Sequence, residues 1–298
     1  VLIAMLTNKD HGLQGRARGA LVHVGPACVP MLLKPLVHPD DSVRRHAAVV
    51  VEHIGAPAKA AVPALVTHLK DPNNGNREHA MRAMTRVGAG AVPFLMVALT
   101  DTNALVSSSA LTTLSRIGPA SVPPLLKALK DVNESQRIYA ATALGNMGGH
   151  AKDATTALGD ALKDPSAEVR QLSALAIGRV GHHARNLTPL LGAALHDGDA
   201  RVRMNAALAL RGVGAPKNAA AWKDAIPILI IALTGTDNHL RDQARHGLMI
   251  AGGPAVPALI GPLTHENAQV RRHATIAIEH IGPEAKAAIP AVVKGLAD

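Results

Sequence analysis

Residues 55–88 read GAPAKAAVPALVTHLKDPNNGNREHAMRAMTRVG, a segment that opens and closes on glycine. Eight residues in, Val62-Pro63 begins a short apolar run with Leu65 and Leu69 four apart, and Asp71 ends it. Proline is favoured in the first turn of a helix, where its missing N–H has no partner to lose. Glycine just past a helix end takes the left-handed cap conformation at little cost. The segment therefore reads as a short helix A, a turn, and a helix B that stops at Gly88.

The pattern repeats along the chain. Val-Pro or an equivalent recurs at Pro30, Pro63, Pro93, Pro123, Pro189, Pro227, Pro257 and Pro290, and Thr156 fills the one skipped slot. Glycines mark the repeat junctions at Gly25, Gly55, Gly88, Gly118, Gly148, Gly181, Gly214, Gly252 and Gly282. The period varies almost wholly between Gly and Pro, at 5, 8 or 13 residues. Helix B carries apolar residues 12, 8, 5, 4 and 1 positions before its Gly, as in Val43, Ala47, Val50, Val51 and Ile54, which is one helical face. The position eight before the Gly is always small: Ala17, Ala47, Ala80, Ala110, Ala140, Ser173, Ala206, Ala244 and Ala274. Fixed-period self-similarity of this length is the mark of a solenoid. The expectation is an all-α chain, a right-handed α-solenoid of about nine two-helix repeats forming one domain over residues 1–298. Val1-Leu2-Ile3-Ala4-Met5-Leu6 fits a helix A entered just after its proline, and Leu296-Ala297-Asp298 ends on another. The chain is thus expected to be a piece of a longer one.

Composition agrees. Nearly half of the 298 residues are apolar, yet Phe94, Tyr139 and Trp222 are the only aromatics of their kinds. Such a core is built from Ala, Val, Leu and Ile, which suits closely stacked helices better than a β-sandwich. A formal net charge of +9 favours acidic partners. One cysteine, Cys28, excludes an internal disulfide or a cysteine-rich zinc site, and no apolar run is expected to span a bilayer. Compartment and oligomeric state are not legible.

Gly-x-x-x-Val-Pro-x-Leu-x-x-x-Leu-x-Asp followed by Val-Arg-x-x-Ala-x-x-Ala-Leu resembles the short HEAT repeats called HEAT-like or phycobilisome-lyase-type. Residues 55–80, 118–144 and 164–181 match it best. The resemblance implies the fold and says little about activity, since the family holds scaffolds, chromophore lyases, a DNA glycosylase branch and a di-iron hydroxylase. It also implies that Asp71 and Arg77, Asp131 and Arg137, Asp164 and Arg170, and Asp197 and Arg203 form a structural ladder across the inter-helix turns. His38, Gly235 and His265 interrupt it in place of Asp, and Ser107 in place of Arg.

The chemical candidates weigh little. Sixteen histidines include Glu52-His53, Glu78-His79, His265-Glu266 and Glu279-His280. The di-iron branch has His before Glu on its B helices, whereas His46, His79 and His273 are each followed by Ala. These read as solvated helix-face residues, as does the loop pair His182-His183. Cys28 reads as a buried structural thiol. There is no nucleophile elbow, phosphate loop or zinc motif. No catalytic residue, cofactor or metal is assigned.

What remains is surface. In HEAT solenoids the B helices line the concave side. Positions 9, 6 and 2 before the Gly give Arg16, His23, His46, His53, His79, Arg82, Arg86, Arg116, Tyr139, Asn146, Arg179, His246, His273 and His280. This stripe contains no carboxylate, and it is the expected docking surface for a partner protein with an acidic face. The alternative is that cations near helix C-termini only answer the helix dipole. Trp222, in the long Ala215–Ile226 loop, is a further anchor candidate, against packing on its own helices. The expected function is a non-catalytic scaffold. The alternatives are a nucleic-acid binder reading phosphates, which the scarcity of aromatics disfavours for single strands, and a lyase-type or di-iron enzyme.

Overall fold

The computed structural model describes residues 1–8 and 10–295. Leu296-Ala297-Asp298, expected to end a helix A, lie outside the described residues. Chain contacts divide the molecule into two compact units, Val1–Met147 and Gly148–Asp298.

In the first unit α1 (Leu2–Leu6), α3 (Val29–Leu36), α5 (Val62–Thr67), α7 (Val92–Ala98) and α9 (Val122–Ala128) are the A helices. They alternate with the B helices α2 (His11–Val24), α4 (Asp41–Ile54), α6 (Asn74–Val87), α8 (Ala104–Ile117) and α10 (Glu134–Met147). The second unit continues with A helices α11 (Thr155–Ala161), α13 (Thr188–Ala194), α15 (Ala221–Thr234), α17 (Val256–Leu259) and α19 (Ile289–Gly295). Its B helices are α12 (Ala167–Val180), α14 (Ala200–Gly212), α16 (Asn238–Ala251) and α18 (Ala268–Ile281). The fold is an all-α solenoid of helix pairs, in the register that the glycines and prolines mark.

The nine junction glycines have φ between 55° and 75°, and no described non-glycine residue has positive φ. The left-handed cap expected of them is corrected in detail. At Gly118 ψ is −133°, and at Gly25 it is −145°, a region closed to any residue with a Cβ rather than the αL well. At the other end of each B helix sits Asp, Asn or Ser, fifteen positions before the Gly. Asp40, Asn73, Ser166 and Asp237 accept hydrogen bonds there from backbone N–H groups of the first turn, satisfying donors a helix start leaves orphaned.

The variable Gly-to-Pro joint has a structural consequence. Joints of five residues fold as 3₁₀ turns of three or four, such as Gly88–Gly90 and Gly118–Ser121. Joints of eight form 3₁₀ segments of six or seven, Ala56–Ala61 and Gly181–Leu187 among them. The longer joint lets the next B helix close in. A Cβ on Gly55 would stand 3.4 Å from the Arg86 carbonyl and one on Gly181 3.7 Å from that of Gly212, whereas Gly25, Gly88 and Gly118 meet nothing within 4 Å.

The core is aliphatic and continuous within each unit. Leu32, Leu65, Leu95 and Leu125 of the A helices and Leu21, Met84 and Leu114 of the B helices are fully buried. The small residue eight before each Gly is also buried throughout. Cys28 is buried and its thiol donates to the Leu21 carbonyl at 3.4 Å. Burial pushes its pKa up, the opposite of what a nucleophile needs.

One expectation fails here. The Ala215–Ile226 loop is half helix, because α15 begins at Ala221 and carries Pro227 inside it. Within His11–Leu36 one 18-residue window reaches a mean hydropathy of 1.3, enough by length and composition alone to cross a membrane. The stretch is interrupted at Gly25 (φ 68°) into α2 and α3, and α2 carries Arg16 and Arg18.

Candidate functional site

The turn between helices A and B absorbs most of the charge that the repeat pattern shares. Seven arginines at the same position of their repeats donate to the two carbonyls six and five residues back. Arg77 Nη1 reaches Asp71 O at 2.6 Å and Pro72 O at 3.1 Å, and Arg271 does the same with His265 O and Glu266 O. These carbonyls are the ones a helix C-terminus leaves without partners. Arg44, Arg137, Arg170, Arg203 and Arg241 repeat the arrangement. In α2, Gln14 stands in, donating to Leu6 O and Asn8 O.

Two carboxylate rungs link successive turns, and both are offset from the pairing expected within a repeat. Arg77 caps the Asp71 backbone, while the Asp71 carboxylate takes Arg44 of the preceding repeat at 2.7 Å. Arg170 reaches Asp197 in the same way at 2.7 Å. Burial alone would push the Asp71 pKa up, but bonds from Asn73 N–H, Arg44 and Asn76 outweigh it and hold the group below the usual carboxylate range. The Arg170 bond does the same for Asp197. Nor do His38 and His265 interrupt the turn. Each Nδ1 accepts the N–H two residues on, at 3.1 and 3.0 Å, as the Asp71 carboxylate does from Asn73 N at 2.9 Å.

The stripe separates into three kinds of residue. His23, His53 and His280 are exposed, and each Nδ1–H donates to the carbonyl four residues back at 2.7–2.8 Å. They occupy helix C-termini, where a cation also suits the dipole. His246 bonds Asp242 O likewise at 2.8 Å.

A second group is neutralised locally by carboxylates that lie just outside the stripe positions. Glu78 lies four residues before Arg82, hence on the same face, and takes Arg82 at 3.1 Å and Arg116 of the next B helix at 2.9 Å. Burial would push its pKa up, yet the two guanidiniums hold it below its usual value. Glu52 Oε2 lies 3.6 Å from His79 Nδ1. In the second unit Asp242 holds Arg245 at 2.6 Å and lies 3.9 Å from His273.

The third group is cationic with no carboxylate against it among the described residues. Arg16 on α2, Arg45 on α4 and Arg86 on α6 are exposed, and Arg18 is half-buried. His46, on α4 among them, is only 8 % exposed. Of the rest, Tyr139 is half-buried and neutral, and Asn146 and Arg179 are exposed but engaged in contacts of their own. Trp222 leaves the list altogether: it is 1 % exposed and its indole N–H donates to Pro216 O at 2.9 Å. The ring pins the joint before α15 and presents nothing to a partner. Among the described residues no three His, Cys, Asp or Glu side chains converge as a metal would need.

A profile of HEAT repeats matches four overlapping stretches, residues 62–145, 122–211, 155–249 and 188–279. No curated protein matches the chain. Among solved structures, an engineered protein superposes with a TM-score of 0.52 at 22 % identity, covering 99 % of this chain and 91 % of that one. Kap121p bound to Nup53p gives 0.60 at 13 %, over 99 % of this chain and 43 % of that one. Importin beta gives 0.53 at 16 %, over 99 % and 47 %. The chain thus spans less than half the length of Kap121p and importin beta, and at such identities the likeness is one of fold. With the repeat profile matched from residue 62 to residue 279 and the helix pairs in the register just described, the chain belongs to the HEAT-repeat family.

Proposed function

We propose that this chain is a non-catalytic scaffold that docks a partner protein with an acidic surface along its B helices. One observation carries the reading: Arg16 on α2, Arg45 on α4 and Arg86 on α6 are exposed with no carboxylate against them among the described residues, while other arginines, Arg82 and Arg116 among them, are absorbed by turns and internal pairs. Uncompensated cations on packed, rigid helices cost little to organise for a partner and steer an anionic surface toward them. The net charge of +9 supports the same direction. The similar fold of Kap121p, solved with Nup53p, with Pho4p and with the extreme C-terminus of the phosphatase Cdc14p, supports protein docking as a use of such a body.

The test is a titration of the full chain with fluorescent polyglutamate and, separately, with duplex DNA. The reading expects saturable polyglutamate binding that weakens at least about fivefold in the Arg16→Glu, Arg86→Glu double variant, the size two exposed pairs supply. Unchanged binding in that variant would sink it. So would tighter binding of duplex DNA with a steep loss on added salt, the signature of phosphate contact. Arg82 and Arg116 make poor probes, since reversing either strands Glu78.

A further inference from the structure

His46 is the most enclosed histidine of the stripe, and its surroundings come from three successive B helices. His11 and Arg18 face it from α2, Arg45 from its own helix α4, and His79 from α6. All of these are cationic or can become so. No acid is among these neighbours, and Glu52, on the same helix, lies 3.6 Å from His79 Nδ1. His46 Nδ1 is buried with no hydrogen-bond partner, so the free protein leaves this polar group uncompensated, a state that native structures rarely tolerate without a use.

The groups around it are held but not neutralised. Gln14 is fixed by donating to Leu6 O and Asn8 O, and its Oε1 accepts from His11 Nδ1 at 3.1 Å and from Ser42 Oγ at 3.0 Å. The same Ser42 Oγ accepts Arg45 Nη2 at 3.3 Å, so the Arg45 guanidinium is positioned by a neutral contact alone. Positive charge has been gathered, oriented and left without its counterion.

Resting on the scaffold reading above, we propose that this cluster is the recognition point for a carboxylate side chain of the partner, gripped by Arg18 and Arg45, and that His46 takes up a proton as the carboxylate arrives. The sign follows from the neighbours. In the free protein burial, then Arg18, Arg45, His11 and His79, hold the His46 pKa below its ordinary value. A carboxylate beside these groups supplies the missing negative charge and raises it. Binding therefore takes up a proton, and affinity rises as pH falls below about 6.5, the ordinary histidine value. A glutamate peptide stays ionised down to about pH 5.

The experiment is calorimetric titration of a hexaglutamate peptide into the full chain between pH 7.5 and 5.5, in buffers of different ionisation heat. The expected result is net proton uptake and, on the order of, threefold tighter binding at pH 5.5. His46→Gln should abolish the uptake while leaving affinity at pH 7.5 within about twofold. Arg18→Gln and Arg45→Gln should each weaken binding roughly threefold at both pH values, with helical circular dichroism unchanged. Proton uptake that persists in His46→Gln, or wild-type affinity in both arginine variants, overturns the proposal. If those results appear while Arg16→Glu with Arg86→Glu still weakens binding, the scaffold reading stands and this site falls. Displacement of the peptide by a single-stranded oligonucleotide at lower concentration than by free glutamate would also overturn it, because the site would then read phosphate.

Discussion

Gly118 holds φ 75° and ψ −133°, and a Cβ there would touch nothing within 4 Å. Gly118→Ala therefore isolates backbone strain from steric contact and should cost about 1–3 kcal/mol, read as a lowered denaturant midpoint with unchanged slope. Asp71 is a different case, since its carboxylate collects Arg44, Asn76 and the Asn73 N–H. Removing it strands a half-buried guanidinium, and Asp71→Ala should cost about 2–3 kcal/mol. The repeat and its glycines could be read by counting, but which arginine meets which aspartate could not. Arg77 and Asp71 share a repeat, yet the carboxylate bonds across to Arg44, a choice set by how neighbouring turns stack. The N-caps are legible in the sequence: Asp40, Asn73 and Ser166 all stand fifteen residues before a junction glycine. Glu78, four residues before Arg82, was equally open to the i,i+4 rule.

The element scale shows where acid should loosen the fold. His68, at the end of the A-helix segment after α5, is buried, donates from Nε2 to Leu36 O and leaves Nδ1 unpartnered. Burial, then nearby Arg44, pushes its pKa down. His46 and His273 are shifted the same way, again with burial foremost. A histidine whose folded pKa is lowered binds its proton first in the unfolded chain, so stability is full above about pH 6.5 and falls as pH drops from there. Asp71 and Asp197 add to the loss only below about pH 4, where the unfolded carboxylates take up protons while the folded ones, held below their usual range, still resist. Thermal melts from pH 7.5 to 5 should show a declining Tm, and His68→Leu should flatten part of that slope. An unchanged slope in the variant would mean that His68 does not titrate with unfolding. The helices and their faces were readable from period alone, whereas the burial of His46 and His68 was not. Each depends on which neighbouring helix the joint brings over it, and the length of a joint does not announce its path.

At the scale of the molecule, each helix pair finds its core in the pairs before and after it, so stability should be local and additive between neighbours rather than shared by the whole chain. The contact between α12 and α14 offers the sharpest perturbation. A Cβ on Gly212 would lie 2.2 Å from the Gly178 carbonyl, a backbone atom that cannot rotate aside as a side chain could. Gly212→Ala must push these two helices apart, a larger cost than that of Gly118→Ala, where only the dihedrals object. If coupling runs between neighbours, amide exchange should quicken in α12 and α14 while α2, α4 and α6 of the other unit keep their protection. The exposed arginines Arg16, Arg45 and Arg86 lie in that protected unit, so polyglutamate affinity should survive the substitution within about twofold. Faster exchange spread evenly over both units would instead make the chain one cooperative body. A perturbation at Gly212 would then be felt at the cation cluster of α2, α4 and α6, and the same titration would register it as lost affinity.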